Sequence, residues 1–207
     1  MILRYHHLQF ADHVELAAID DEALHVLHVC GRGVRMDLPS GWMSLWLPLA
    51  GQLRVDAPAG SWELCAGEAQ LWREGRVWLG SRLPCTWLAL AGPLVIWKQF
   101  LGETELFPWD GRASRSMRRM LVRLVRCTRG DDHYIANTTT PLLTAFCAEI
   151  IEQQSHLQAY LPRCSGRTLH RRQQTLLRLL RVQQQIRRRP DTRIDLAQLA
   201  RSASYSP

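Results

Sequence analysis

The sequence predicts an α+β protein: a barrel of short antiparallel strands, then amphipathic helices, then the opening of an all-α domain. Three observations predict it. From Ile2 to about Leu101, short apolar runs are broken by turn residues every eight to twelve positions, as in a barrel or sandwich of antiparallel strands. After Phe107-Pro108-Trp109-Asp110-Gly111 the apolar period changes from 2 to 3.6. The charge divides as well: residues 1–110 carry 8 basic and 13 acidic side chains, residues 111–207 carry 18 and 6.

The 207 residues, 46% apolar and 22% charged, have an ordinary globular composition, which excludes disorder, collagen and a coiled-coil rod. Cys30, Cys65, Cys85, Cys127, Cys147 and Cys164 are scattered without a C-x-x-C pair, so reduced thiols are expected rather than a disulfide framework or a zinc module. The longest apolar stretch, Thr86–Trp97, is broken by Gly92-Pro93 and is shorter than the ~20 residues a bilayer needs. With no cationic and apolar leader at the start, the expected location is the cytoplasm, away from membranes.

Candidate strands are Ala23–Cys30, Ser44–Leu49, Gln52–Asp56, Ser61–Leu64, Ala69–Trp72, Val77–Ser81 and Thr86–Ala91, with no helical periodicity in this half. Gly51 and Gly67 stand at turns where a positive φ is wanted. All eight tryptophans precede residue 110. An indole joins a large apolar area to one N–H donor, so the set suits either a ligand pocket or a barrel simply filled with aromatics. Trp46, Trp62, Trp72 and Trp78 are the candidates for a ligand cavity.

A metal-dependent barrel enzyme would place imidazoles and a carboxylate on the first of these strands. Trp42–Leu49 contains no histidine, and His25 and His28, like His6 and His7, are spaced to point to opposite faces of a strand. No metal, no cofactor and no enzymatic activity are therefore expected.

The first predicted helix runs over 114–128. Met117, Met120, Leu121, Leu124 and Val125 form its apolar stripe, and arginines occupy the other faces. A second is predicted from Thr140 as N-cap and Pro141 as first residue to near Pro162. These helices could pair between subunits or pack on their own barrel. A linker over 163–168 precedes an arginine-rich helix, Thr168–Arg189, stopped by Pro190. Asp195 and Gln198 then make a capping box, bracketed by Ile194 and Leu199 as a hydrophobic staple. Ser206-Pro207 is the next N-cap signal, so two helices start eleven residues apart, the spacing of a helix-turn-helix. All 18 cations beyond residue 110 are arginine. That suits phosphate contacts, although one lysine in the whole chain also fits a genome that writes arginine wherever a cation is tolerated.

The run W-L-P-L-A-G-Q-L-R-V…W-E-L-C-A-G-E-A-Q-L-W resembles the cupin-like, jelly-roll sensor barrel of AraC/XylS-type transcription regulators. The run I-R-R-R-P-D-T-R-I-D-L-A-Q-L-A-R-S-A-S-Y-S-P resembles the opening of that family's DNA-binding domain, with Leu196, Leu199 and Ala200 on its L-x-x-L-A motif. The resemblance implies a cupin-like sensing barrel over 1–110, a helical dimerisation segment over 111–162, and an incomplete helix-turn-helix domain over 169–207. It implies a cytoplasmic homodimer that takes a small-molecule effector in the barrel and, in the complete protein, binds DNA. Leu196, Leu199 and Ala200 would be the core of the motif, and Arg193, Arg201 and Ser206 the DNA contacts. Because base edges are read by the second helix of the motif, this chain is expected to bind DNA weakly, non-specifically and with steep salt dependence. It is also expected to leave Leu176, Leu180 and Leu196 partly uncovered. The alternatives are a small cupin enzyme, such as an isomerase or dioxygenase, and a naturally shortened chain that dimerises with full-length relatives and silences them.

Overall fold

A computed structural model describes residues 2–19, 22–58, 60–73, 75–102, 104, 106, 108–129, 132–188 and 197. Ten strands come first: β1 (Ile2–Leu8), β2 (His13–Glu15), β3 (Ala23–Gly31), β4 (Arg35–Leu38), β5 (Trp42–Ala50), β6 (Gln52–Ala57), β7 (Gly60–Cys65), β8 (Glu68–Trp72), β9 (Val77–Gly80) and β10 (Cys85–Pro93). They are followed by α1 (Leu94–Leu101), β11 (Trp109–Arg112), α2 (Arg115–Thr128), α3 (Asp132–Gln158) and α4 (Leu169–Arg188).

The strands form two sheets, ordered β1-β3-β10-β5-β8-β11 and β2-β4-β9-β6-β7. Between them lies one core, with Leu27, Val29, Trp42, Trp46, Trp72 and Trp87 of the first sheet against Leu53, Val55 and Leu79 of the second. The other face of the first sheet, with Leu24, Val26, Leu45, Leu47, Leu88 and Leu90, is covered by the helices in a second core. A sheet buried on both faces has no polar side to alternate with, which is why β3 and β5 read as nearly unbroken apolar runs.

The hairpin glycines do what the sequence asks of them. Gly51 has φ 77° and Gly67 φ 84°, and a Cβ at Gly51 would lie 2.6 Å from the Pro84 carbonyl oxygen. Both turns carry the chain between sheets, β5 to β6 and β7 to β8.

Three expectations about where elements begin and end need correction. Helix α1 lies where no helical period is evident; its eight residues bury Ile96, Trp97 and Leu101, and Trp97 Nε1 donates to the Met43 carbonyl at 2.9 Å. So short an apolar helix reads as one more strand, and only tertiary packing separates the two. Strand β11 pairs with β8, Trp109 facing Leu71 and Asp110 facing Gln70, so the first sheet continues past residue 110. Helix α3 starts at Asp132, and Pro141 lies inside it. A proline there has no N–H for the carbonyl four residues earlier, and an interior proline costs ~3 kcal/mol. Burial of Leu143, Phe146 and Ile150, at about 1.5–3 kcal/mol each, offsets it.

Helix α2 begins as predicted, with Ser114 as N-cap. The apolar stripes of α2 and α3 face their own first sheet and each other, with Met117, Leu121, Leu143, Phe146 and Ile150 almost fully buried. Leu176 of α4 is buried, packed with Leu161 and Leu180, which overturns the expectation that it is partly uncovered, whereas Leu180 is partly exposed as expected.

Candidate functional site

The inner face of the first sheet brings together aromatic and polar side chains from β3, β5, β8 and β10. Residues two apart on a strand share a face. Trp42, Ser44 and Trp46 of β5 therefore point the same way as Gln70 and Trp72 of β8 and Trp87 of β10, all buried. Trp46 and Trp72 stack with centroids 6.3 Å apart, and Trp62 leans on Trp72 at 5.4 Å. Trp62 Nε1 donates to Gln70 Oε1 at 2.7 Å, and Trp72 Nε1 donates to the Gly75 carbonyl at 2.9 Å. The indole N–H groups of Trp46 and Trp87 are fully buried and have no hydrogen-bond partner among the described residues.

His25 is completely buried on the same face. It stacks on Trp42 at 5.3 Å, and its Nδ1 lies 2.8 Å from Nε2 of His6. Burial lowers the His6 pKa to about 4, helped by the His25 and Arg4 charges, so His6 is uncharged near neutrality.

Of the tryptophans singled out from the sequence, Trp46 and Trp72 are in the inner layer and Trp62 is half-buried beside them. Trp78 is 42% exposed on the outer face of the second sheet, under the Arg76 guanidinium at 5.4 Å. Its neighbours Val77 and Leu79 take the inner positions of β9, because alternation shows two faces without saying which is inside. Trp42, Trp87, His25 and Gln70 were missed. A signal for Trp42 existed, since it stands four residues before Trp46 and must share its face.

Arg193, Leu196, Leu199, Ala200, Arg201 and Ser206, expected in the helix-turn-helix, lie outside the described residues. Helix α4 leading to them carries no acidic residue, and Leu169, Leu179 and Ile186 stand exposed on it. No helix among the described residues is long and apolar enough to cross a membrane.

No family model and no curated protein sequence matches the chain. Among solved structures, ToxT from Vibrio cholerae aligns over 88% of each chain with 9% identity and a TM-score of 0.45. An ethanolamine utilization protein Q from Salmonella typhimurium aligns over 39% of this chain with 15% identity and a TM-score of 0.30; the chain spans 64% of its length, less than two thirds. A cupin domain of an XRE family transcriptional regulator from Enterobacter cloacae aligns over 30% of this chain and 70% of its own, with 10% identity and a TM-score of 0.26.

Proposed function

We propose that the protein is a transcription regulator of the AraC/XylS type. Its two-sheet domain takes a small-molecule effector, and the region from residue 169 contacts DNA. The observation that carries the sensing half is the pair of unpartnered indole N–H donors of Trp46 and Trp87, fully buried between the sheets. Leaving such a donor unsatisfied costs ~1–3 kcal/mol, and a flat ligand with an acceptor oxygen, held between aromatic faces, would recover that energy. His25 is engaged with His6 and Trp42, a binding wall rather than an open metal cradle.

A route to the DNA-binding region is physical. Strand β8 points Gln70 and Trp72 inward and pairs with β11, and β11 touches α4. A ligand that shifts β8 therefore bears on α4, provided it binds two arrangements unequally. Arg171 and Arg172, near the start of α4, supply cations for phosphate. The homodimer that belongs to this reading would use the polar outer faces of α2 and α3, since their apolar stripes are already covered.

The test is a titration of chemically diverse small apolar acids, phenols and amides, followed by tryptophan emission. A ligand whose affinity falls roughly tenfold in Trp46→Phe or Trp87→Phe, the loss of one net hydrogen bond, supports the reading. Silence across the set, or binding indifferent to both substitutions, overturns it.

A further inference from the structure

The parallel pairing of β1 with β3 makes His7 and His28 direct partners. Their rings stack with centroids 5.0 Å apart and planes 9° from parallel. Cys30, two residues further along β3, shares the face of His28, and its Sγ lies 3.2 Å from His28 Nε2. One donor atom from each of the three lies within 4.8 Å of the others. The cluster is on the helix-covered side of the first sheet, opposite to His6 and His25, at the edge strand; His7 is exposed and the other two are half-buried.

We infer that His7, His28 and Cys30 bind a borderline-soft divalent cation of the zinc type, at a site separate from the space between the sheets. The donor set decides the class: two imidazoles and a thiolate suit zinc and its neighbours, whereas magnesium and calcium want oxygen. Size is within reach, since bonds of about 2.0–2.3 Å to nitrogen and sulfur at the tetrahedral angle hold the donors roughly 3.3–3.8 Å apart. A contraction of the cluster is therefore needed. His7 can supply it: it is exposed on an edge strand, and a tilt of its ring turns the in-plane lone pair toward the other two donors. Three protein donors with one exposed side leave a fourth position for water or a further ligand.

On binding, the Cys30 S–H gives its proton to solvent and the thiolate takes the metal, so the site gains two positive charges and one negative. Arg129, just beyond α2, acts electrostatically on His28 and opposes a cation there; the thiolate charge offsets it. A bound ion would tie the edge strand β1 to β3.

The test is a titration of the untagged, reduced, chelator-treated chain with Co2+, a spectroscopic stand-in for Zn2+. Saturation at one equivalent is expected, with thiolate-to-cobalt charge-transfer absorption that Zn2+ displaces. Cys30→Ser should abolish that absorption, and His28→Gln should weaken binding by more than the ~10-fold that losing even an outer partner costs. Cys65→Ser, on the second sheet, should change nothing. Absence of the charge-transfer band, or its persistence in Cys30→Ser, overturns the inference. If Cys30→Ser loses its circular dichroism, His7→Gln at the exposed edge decides, and unchanged affinity there overturns the site.

Discussion

Ser114 joins two helices through Glu149. Its hydroxyl donates to Glu149 Oε1 at 2.6 Å, while Ser114 Oγ itself accepts the Met117 N–H at 2.9 Å and so caps α2. The first turn of α2 is thereby fixed to the middle of α3. Ser114→Ala should cost about 2 kcal/mol, ~1 for the cap and ~1 for the charge-assisted bond. Denaturant unfolding measures the sum. A double-mutant cycle with Glu149→Gln isolates the second contribution, and a coupling of zero would show that the two helices do not communicate here.

Gly51→Ala should be more damaging. A non-glycine residue in the left-handed region costs roughly 1–2 kcal/mol. The new methyl group would also meet the Pro84 carbonyl oxygen at 2.6 Å, backbone that cannot swing aside as a side chain could. The urea midpoint should fall, whereas Gly41→Ala, whose Cβ would meet nothing within 4 Å among the described residues, should cost only the conformational part.

Pro141→Ala distinguishes a helix that starts at Asp132 from one that starts at Thr140. Inside the helix the substitution restores a backbone N–H for the carbonyl four residues earlier and should raise stability by about 1–2 kcal/mol, part of the ~3 kcal/mol interior penalty being kept back by the looser unfolded chain. At a first helical position it would bring no gain. Thermal unfolding of the variant reads the sign.

The thiols should separate by reactivity. Burial pushes Cys147 up to about 12, and burial, with Cys30 adding, pushes Cys85 up to about 11. Both should resist a thiol reagent at pH 8 in the native protein and react after unfolding. Their folded values stand above the ordinary thiol value of 9.0, so the folded state holds the extra protons. The stability they contribute is complete below pH 9 and is lost as pH rises from 9 toward 11–12. Cys147→Ala should flatten that alkaline slope; an unchanged slope would place the loss elsewhere.

The sequence by itself determined what a few neighbouring residues decide. Gly51 and Gly67 announced the turns that change sheets, Ser114 announced the start of α2, and the spacing of Met117, Leu121 and Leu124 announced which face of it is buried. It also showed that His25 and His28 look opposite ways, as they do. What it could not show is which strand lies beside which. The parallel register of β1 on β3 sets His6 opposite Leu27 and diagonally within reach of His25 inside, and His7 opposite His28 outside, and neither contact is written in spacing along the chain. The same limit misplaced Trp78, whose strand has the right alternation and the opposite inner face, and hid α3 ahead of Pro141, where burial of Leu143, Phe146 and Ile150 outweighs a local stop signal. Turns, caps and periods follow from steric and hydrogen-bonding preferences within a few residues. Register and facing are settled by the total apolar area that distant segments bury together, and that sum exists only in the folded molecule.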